Sequence, residues 1–151
     1  MDDGGFGELV PVSERFRGVR SVVPFERGFD ASYGLESVEH AAGLVRGRVA
    51  VVPRLLGLGE VVHSGVYASI AESLASIGTA AEVLAEGSIV SGLSNSTYVL
   101  ADVRDGVLRA EARCRRRGAE WMWHVNVVDG DGTACSYSTV VIAVRPPRES
   151  S

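Results

Sequence analysis

The chain has 151 residues, of which 46% are hydrophobic and 23% charged, and a formal net charge of −4 at pH 7. That composition describes one globular domain large enough to bury a core. It excludes two classes of partner: a net-acidic chain lacks the basic surface that general nucleic-acid binding needs, and no apolar run approaches the ~18 residues of a membrane span.

The fifteen basic residues are all arginine, so lysine chemistry is absent. Cys114 and Cys135 lack the paired spacing of a zinc or redox motif and read as reduced core or sheet residues. The acidic start, Met1-Asp2-Asp3-Gly4-Gly5, lacks the basic and apolar regions of a signal peptide, and a cytoplasmic protein is expected.

Residues 1–28 mix glycine, charges and short apolar runs such as Leu9-Val10-Pro11-Val12 and Val19-Arg20-Ser21-Val22-Val23. They read as a partly ordered extension with at most one short element. A helical turn is expected from Phe29 to Leu35, with Asp30 as its N-cap. Leu35–His40 and Leu44–Val52 read as strands joined by a turn at Ala41-Ala42-Gly43. Four strands in succession close the chain: Ser88–Val103, Val107–Arg117, Trp121–Asp129 and Ala134–Arg145. Their expected hairpin connections are Arg104-Asp105-Gly106, Gly118-Ala119-Glu120 and Gly130-Asp131-Gly132. The two-proline tail, 146–151, is expected to fray. The domain proper is therefore 29–145.

Between these strand groups lies one long helix, Ser64 to Leu84. Val66, Ile70, Leu74, Ile77, Ala81 and Leu84 form an apolar stripe at helical spacing. Ser69, Glu72, Ser76 and Thr79 fall opposite, and Ala68, Ala71, Ala75 and Gly78 lie between. A helix so covered is expected inside a curled sheet, with its small-residue side against a second subunit. A carboxylate on such a helix either finds hydrogen-bond partners or faces a groove, which singles out Glu72.

The run Val61-Val62-His63-Ser64-Gly65-Val66-Tyr67-Ala68-Ser69-Ile70-Ala71-Glu72-Ser73-Leu74-Ala75-Ser76 resembles the central-helix motif of hotdog-fold acyl-CoA thioesterases. It is most similar to their 4-hydroxybenzoyl-CoA and phenylacetate-pathway (PaaI-like) branch. Gly34-Leu35-Glu36, Arg117-Gly118 and Asp129-Gly130-Asp131-Gly132 resemble that family's first-strand entry, strand-turning pair and last hairpin.

The resemblance implies an α+β hotdog fold, a curved antiparallel sheet of about six strands wrapped around one central helix. It further implies a homodimer or dimer of dimers that hydrolyses an acyl-CoA or acyl-carrier-protein thioester. By that likeness Glu72 is the nucleophile or general base, His63 helps hold the thioester carbonyl, and the N–H of Ser64 or Gly65 stabilises the oxyanion. Ser76 matches a hydroxyl position that in relatives touches substrate or water, Asn95 lies in a strand that relatives place beside the substrate, and the site takes groups from both subunits. Coenzyme A is part of the substrate, with no separate cofactor and no metal.

Two positions depart from the family pattern. Ser64 replaces the usual first glycine after the histidine, and Gly57 stands where the benzoyl-CoA branch carries an amide. Arg115, Arg116 and Arg117 could contact CoA phosphates or form a solvated strand end. His40 and His124 read as strand residues, and Trp121, Trp123 and Tyr137 as core or interface aromatics. A hotdog dehydratase or hydratase, or a non-catalytic acyl-CoA-binding module, is the competing reading.

Overall fold

The computed structural model describes residues 5–19, 25–147 and 149. The expectations for the acidic start at 1–4, the apolar run at 20–24 and the tail positions 148, 150 and 151 lie outside the described residues. The order is β1 (Val10–Pro11), α1 (Val12–Arg15), α2 (Phe29–Ser32), β2 (Leu35–Ala41), β3 (Leu44–Ala50), α3 (Ser64–Val83), β4 (Ile89–Val99), β5 (Val107–Arg116), β6 (Glu120–Val128) and β7 (Ala134–Arg145). No helix among the described residues is long and apolar enough to cross a membrane.

The strands form one antiparallel sheet in the order β1-β2-β3-β5-β6-β7-β4, packed around α3. It has seven strands rather than about six, because two residues of the N-terminal segment pair with β2, Val10 opposite His40 and Pro11 opposite Glu39. The expected four-strand meander is also corrected. Only β5, β6 and β7 run as consecutive hairpins; β4 pairs with β7 along its far side, and β5 pairs with β3. The stretch through Arg104-Asp105-Gly106 therefore crosses between non-adjacent strands, and Gly106 accepts from the Val51 N–H beyond the end of β3.

Helix α3 lies in the concavity of the sheet. Val66, Ile70 and Leu74 are buried as their spacing predicts, beside Val45, Val49, Trp123, Val125, Val140 and Ile142. Three of the four small residues pack against the chain's own sheet, and Ala68 is half-buried. Ala71 and Ala75 are fully buried on the chain's own sheet, and a Cβ at Gly78 would stand 2.5 Å from the Trp123 ring and 2.6 Å from Val45. Close approach thus requires glycine at position 78. Thr79, expected on the open side, is buried too; it accepts the Trp123 indole N–H at 2.9 Å and donates to the Ala75 carbonyl at 2.8 Å. That pairing satisfies the one polar atom of a core tryptophan.

The other edge of the sheet is β4. Its outer side has no strand partner among the described residues, and Leu93, Tyr98, Val99 and Leu100 are exposed along or just beyond it. Both cysteines are free, Cys135 buried and Cys114 half-buried.

Candidate active site

The N-terminus of α3 is set by His63. Its backbone is extended (φ −61°, ψ 136°), and its Nδ1 accepts the Gly65 N–H at 2.9 Å, capping the helix. With Nδ1 accepting, the neutral ring carries its proton on Nε2. Glycines flank the ring closely on both sides. A Cβ at Gly57 would lie 3.1 Å from His63 Cδ2, and one at Gly65 would lie 2.9 Å from Nδ1. A side chain at position 57 would therefore start in tight contact with the imidazole. Gly65 has its N–H engaged, whereas the Ser64 N–H has no acceptor among the described residues. Ser64 thus presents a free donor at the positive end of a 20-residue helix.

Glu72 lies eight residues further on, about 12 Å along the axis at 1.5 Å per residue. It is half-buried, with no cation in ion-pair range among the described residues. Its carboxylate is pressed against Gly92 of β4, where the register with β7 shifts between Gly92 and Ser94. A Cβ at position 92 would overlap the carboxylate, so this glycine gives the acid its place. The groove beside Glu72 has a volume of about 390 Å³ and is lined by Phe29, Asp30, Ser69, Glu72, Ser76 and Asn95, among others. Asn95 donates from Nδ2 to the Ala68 carbonyl at 2.9 Å and accepts from Thr97 at 2.8 Å, which fixes its amide.

A polar relay borders the same groove. Tyr33 donates to Ser73 Oγ at 2.7 Å, and Ser73 donates to Asp30 Oδ1 at 2.6 Å. Burial is the largest influence on the Tyr33 hydroxyl and pushes it well above the usual phenol range, so it stays a donor. Asp30 is not the N-cap of α2; Gly28 holds that position, and the Asp30 carboxylate turns to Ser73 instead. Sequence reasoning missed this relay. The available signal was Ser73 itself, a hydroxyl three residues from Ile70 on the buried stripe, where a polar group needs a partner.

The structure brings Glu72, Ser76 and Asn95 together in one groove. His63, Ser64 and Gly65 border separate depressions at the helix N-terminus. The three arginines lie elsewhere. Arg115 donates to His124 Nδ1 at 3.2 Å, Arg116 stands 4.0 Å from Glu120, and Arg117 pairs with Glu82 at 2.9 Å and covers the Trp121 ring. None of them lines the Glu72 groove of its own chain. Among the described residues no cluster of His, Cys, Asp and Glu could hold a metal ion.

A half-buried carboxylate beside hydroxyls, and a helix N-terminus with a free N–H, are the parts that hydrolysis of an activated carbonyl requires: a base or nucleophile, and a donor for the oxyanion. Residues 59–136, which carry both, match the family model described as the thioesterase superfamily. The chain belongs to the thioesterase superfamily. Its relatives include the Mycobacterium tuberculosis protein Rv1847, named as a candidate esterase. That protein is 34% identical over 104 residues, covering 67% of this chain and 74% of the relative.

The solved structure of Rv1847/MT1895 superposes with a TM-score of 0.76 at 29% identity, covering 80% of this chain and 98% of that one. The Haemophilus influenzae thioesterase HI1161 gives a TM-score of 0.72 at 22% identity, over 85% of this chain and 95% of that one. PaaI of the E. coli phenylacetic acid degradation operon gives 0.68 at 14%, over 76% and 81%. These last two likenesses bear on the fold alone, which is the hotdog fold. As a thioesterase-superfamily member this protein is a hydrolase.

Proposed function

We propose that this thioesterase hydrolyses acyl-CoA or acyl-carrier-protein thioesters at a site shared between two copies of the chain. We assign it in kind to the 4-hydroxybenzoyl-CoA and PaaI-like branch, on the likeness of its central-helix motif. The observation that carries the reading is a distance. Glu72 and the free Ser64 N–H stand about 12 Å apart along one helix, too far to act on the same carbonyl, so a second copy must supply one of them. The open edge of β4 supports this. It runs beside Glu72 and exposes Leu93 and Tyr98, with unpaired backbone groups suited to a second copy. Antiparallel pairing of two β4 edges forms a dimer, which can pair again into a dimer of dimers.

In this site the Ser64 N–H of one copy binds the thioester oxygen, and its helix dipole stabilises the negative charge that develops there. Gly65 contributes by accommodating the capping His63 ring, whose Nε2–H faces outward near the same carbonyl. Glu72 of the other copy acts as general base. It takes a proton from water as the hydroxide adds to the carbonyl carbon, and the tetrahedral intermediate then expels the CoA thiolate, which recovers the proton as thiol. Direct attack by Glu72, giving a mixed anhydride that water cleaves, is the alternative role of the same residue. Ser76 and the fixed Asn95 line the water and acyl side of the groove. Arg115, Arg116 and Arg117 serve the CoA phosphates only in an assembly that brings them to a neighbour's groove. Two free thiols fit a reducing cytoplasm.

The test is hydrolysis of a panel of acyl- and aroyl-CoAs by wild type and Glu72→Ala. Turnover by wild type, reduced at least a hundredfold in the variant, is expected. Equal rates would remove Glu72 from the mechanism. Binding without turnover across the panel would favour a non-catalytic module, and appearance of an enoyl product would favour a hydratase.

A further inference from the structure

On the face of the sheet turned away from α3, Arg48 of β3 stands directly opposite Arg109 of β5. Like charges directly opposed across two strands repel, yet neither residue is fully compensated. Glu36 accepts from Arg48 Nε at 2.8 Å, with both side chains about half exposed, and Arg109 has no carboxylate partner among the described residues. Glu111, two residues along β5, already accepts from Arg46 at 2.8 Å and Arg113 at 2.6 Å.

A second feature adjoins this pair. Strand β2 slips register between Glu36 and Glu39, and Ser37 takes φ 53°, a left-handed conformation that a non-glycine residue rarely adopts. The bulge borders a depression of about 550 Å³ lined by Ser37, Arg46, Arg48, Arg109, Glu111 and Asn126. Between the arginines its floor is the paired backbone of Gly47 and Ala110. The volume is that of a small-molecule site.

We propose that this depression is a second ligand site, which takes a small phosphate ester bearing hydroxyl groups. The guanidinium groups of Arg48 and Arg109 reach it from adjacent strands and can hold phosphate oxygens in bidentate fashion. Ser37 Oγ and the Asn126 amide offer neutral donors at the rim. Glu111 offers an acceptor for a ligand hydroxyl. The anion relieves the repulsion between the two arginines, which gives binding a source of energy that a lone surface arginine lacks. The site lies on the opposite face of the sheet from the Glu72 groove, so a CoA nucleotide seated here could not place its thioester at Glu72 of the same chain. The proposal therefore stands independently of the thioester reading.

The test is thermal denaturation and calorimetric titration of the full chain with inorganic phosphate, pyrophosphate, ADP and free CoA, against sodium chloride at matched ionic strength. Saturable binding of ADP or pyrophosphate is expected, with a rise in Tm that chloride does not reproduce. Arg109→Gln and Arg48→Gln should each weaken binding about tenfold or more, the scale of a lost charge-assisted hydrogen bond. Arg109→Gln should leave the ligand-free Tm unchanged or raised, because the repulsion is gone, whereas Arg48→Gln also gives up its half-exposed pair with Glu36 and should leave it nearly unchanged. Glu72→Ala should bind as wild type does. A response equal to that of chloride, binding that persists in both arginine variants, or binding lost in Glu72→Ala would each overturn the proposal. If CoA binds here and ADP does not, the phosphate-ester site is overturned in favour of a pantetheine contact.

Discussion

The carboxylate of Glu72 fills the space that a Cβ at Gly92 would occupy, at the point where β4 slips register against β7. A side chain at position 92 and the carboxylate cannot both occupy that space. Gly92→Ala should therefore fold and yet turn Glu72 out of its groove. A displacement of about 1 Å in a catalytic group can cost on the order of a hundredfold in rate, and kcat for thioester hydrolysis should fall by that order. Far-UV circular dichroism and Tm close to wild type would assign the loss to the site rather than to the fold.

The relay from Tyr33 through Ser73 to Asp30 ties α2 to α3 at the edge of the groove. Ser73→Ala leaves a buried tyrosine hydroxyl without its short partner, and losing such a bond costs about 1–3 kcal/mol. Chemical denaturation should show a loss in that range. Ser73→Thr, which keeps the hydroxyl, should lose less.

His40 lies buried on β2 under the N-terminal segment, with its Nε2 unpartnered. Burial first, and then the nearby Arg15 guanidinium, hold its pKa below the ordinary 6.5, against an opposing pull from Glu82. The unfolded chain then binds a proton that the folded chain refuses between 6.5 and that lower value. Stability is fully present above 6.5 and declines as the pH falls through this window. Glu111 adds a separate window at lower pH. Burial raises its pKa, but the hydrogen bonds from Arg113 and Arg46 outweigh that and hold it below 4.5, so its contribution is lost on acidification below that point. Tm measured against pH should show both declines, and His40→Gln should shrink the upper one alone, leaving the share of His124, whose pKa burial and the Arg115 guanidinium also hold below 6.5.

The exposed apolar residues of β4 predict an assembly that charge would disrupt. Leu93→Lys combined with Tyr98→Lys places cations on two of the exposed apolar positions of the open edge. Light scattering should report a monomer, and hydrolysis should fall with the dimer. A variant that stays dimeric and fully active would move the interface elsewhere.

How far this molecule can be read from its sequence depends on whether a feature is local. Helix α3 was legible because Val66, Ile70 and Leu74 repeat at helical spacing. The hairpins β5–β6 and β6–β7 were legible from their glycine-containing turns. The partner of β4 was not, because alternation along a strand tells which face is buried and nothing about which strand lies alongside. Asn95 of β4 meets Val140 of β7 across 45 positions of sequence. Strand β1 was too short, at two residues, to show a period.

The small-residue stripe of α3 invited a partner subunit, whereas at Gly78 the neighbours are Trp123 and Val45 of the same chain. Within the site, the spacing of His63 and Glu72 was visible. That His63 caps Gly65 and leaves Ser64 with the free N–H was not, since it turns on one side-chain rotamer. Asp30 could serve equally as a cap or as an acceptor in the first turn, and the choice is made by Ser73, 43 residues away.

The most direct measurement mixes two defective chains. Glu72→Ala removes the acid, and Ser64→Pro removes the N–H at the first helical position, where proline is tolerated. Each variant alone should be inactive. In a mixed dimer one of the two sites takes its acid from the Ser64→Pro chain and its N–H from the Glu72→Ala chain, so co-expressed variants should recover activity, with a mixed dimer reaching about half of the wild-type rate. No recovery from mixed dimers of verified composition would contradict a site divided between Glu72 of one copy and Ser64 of the other.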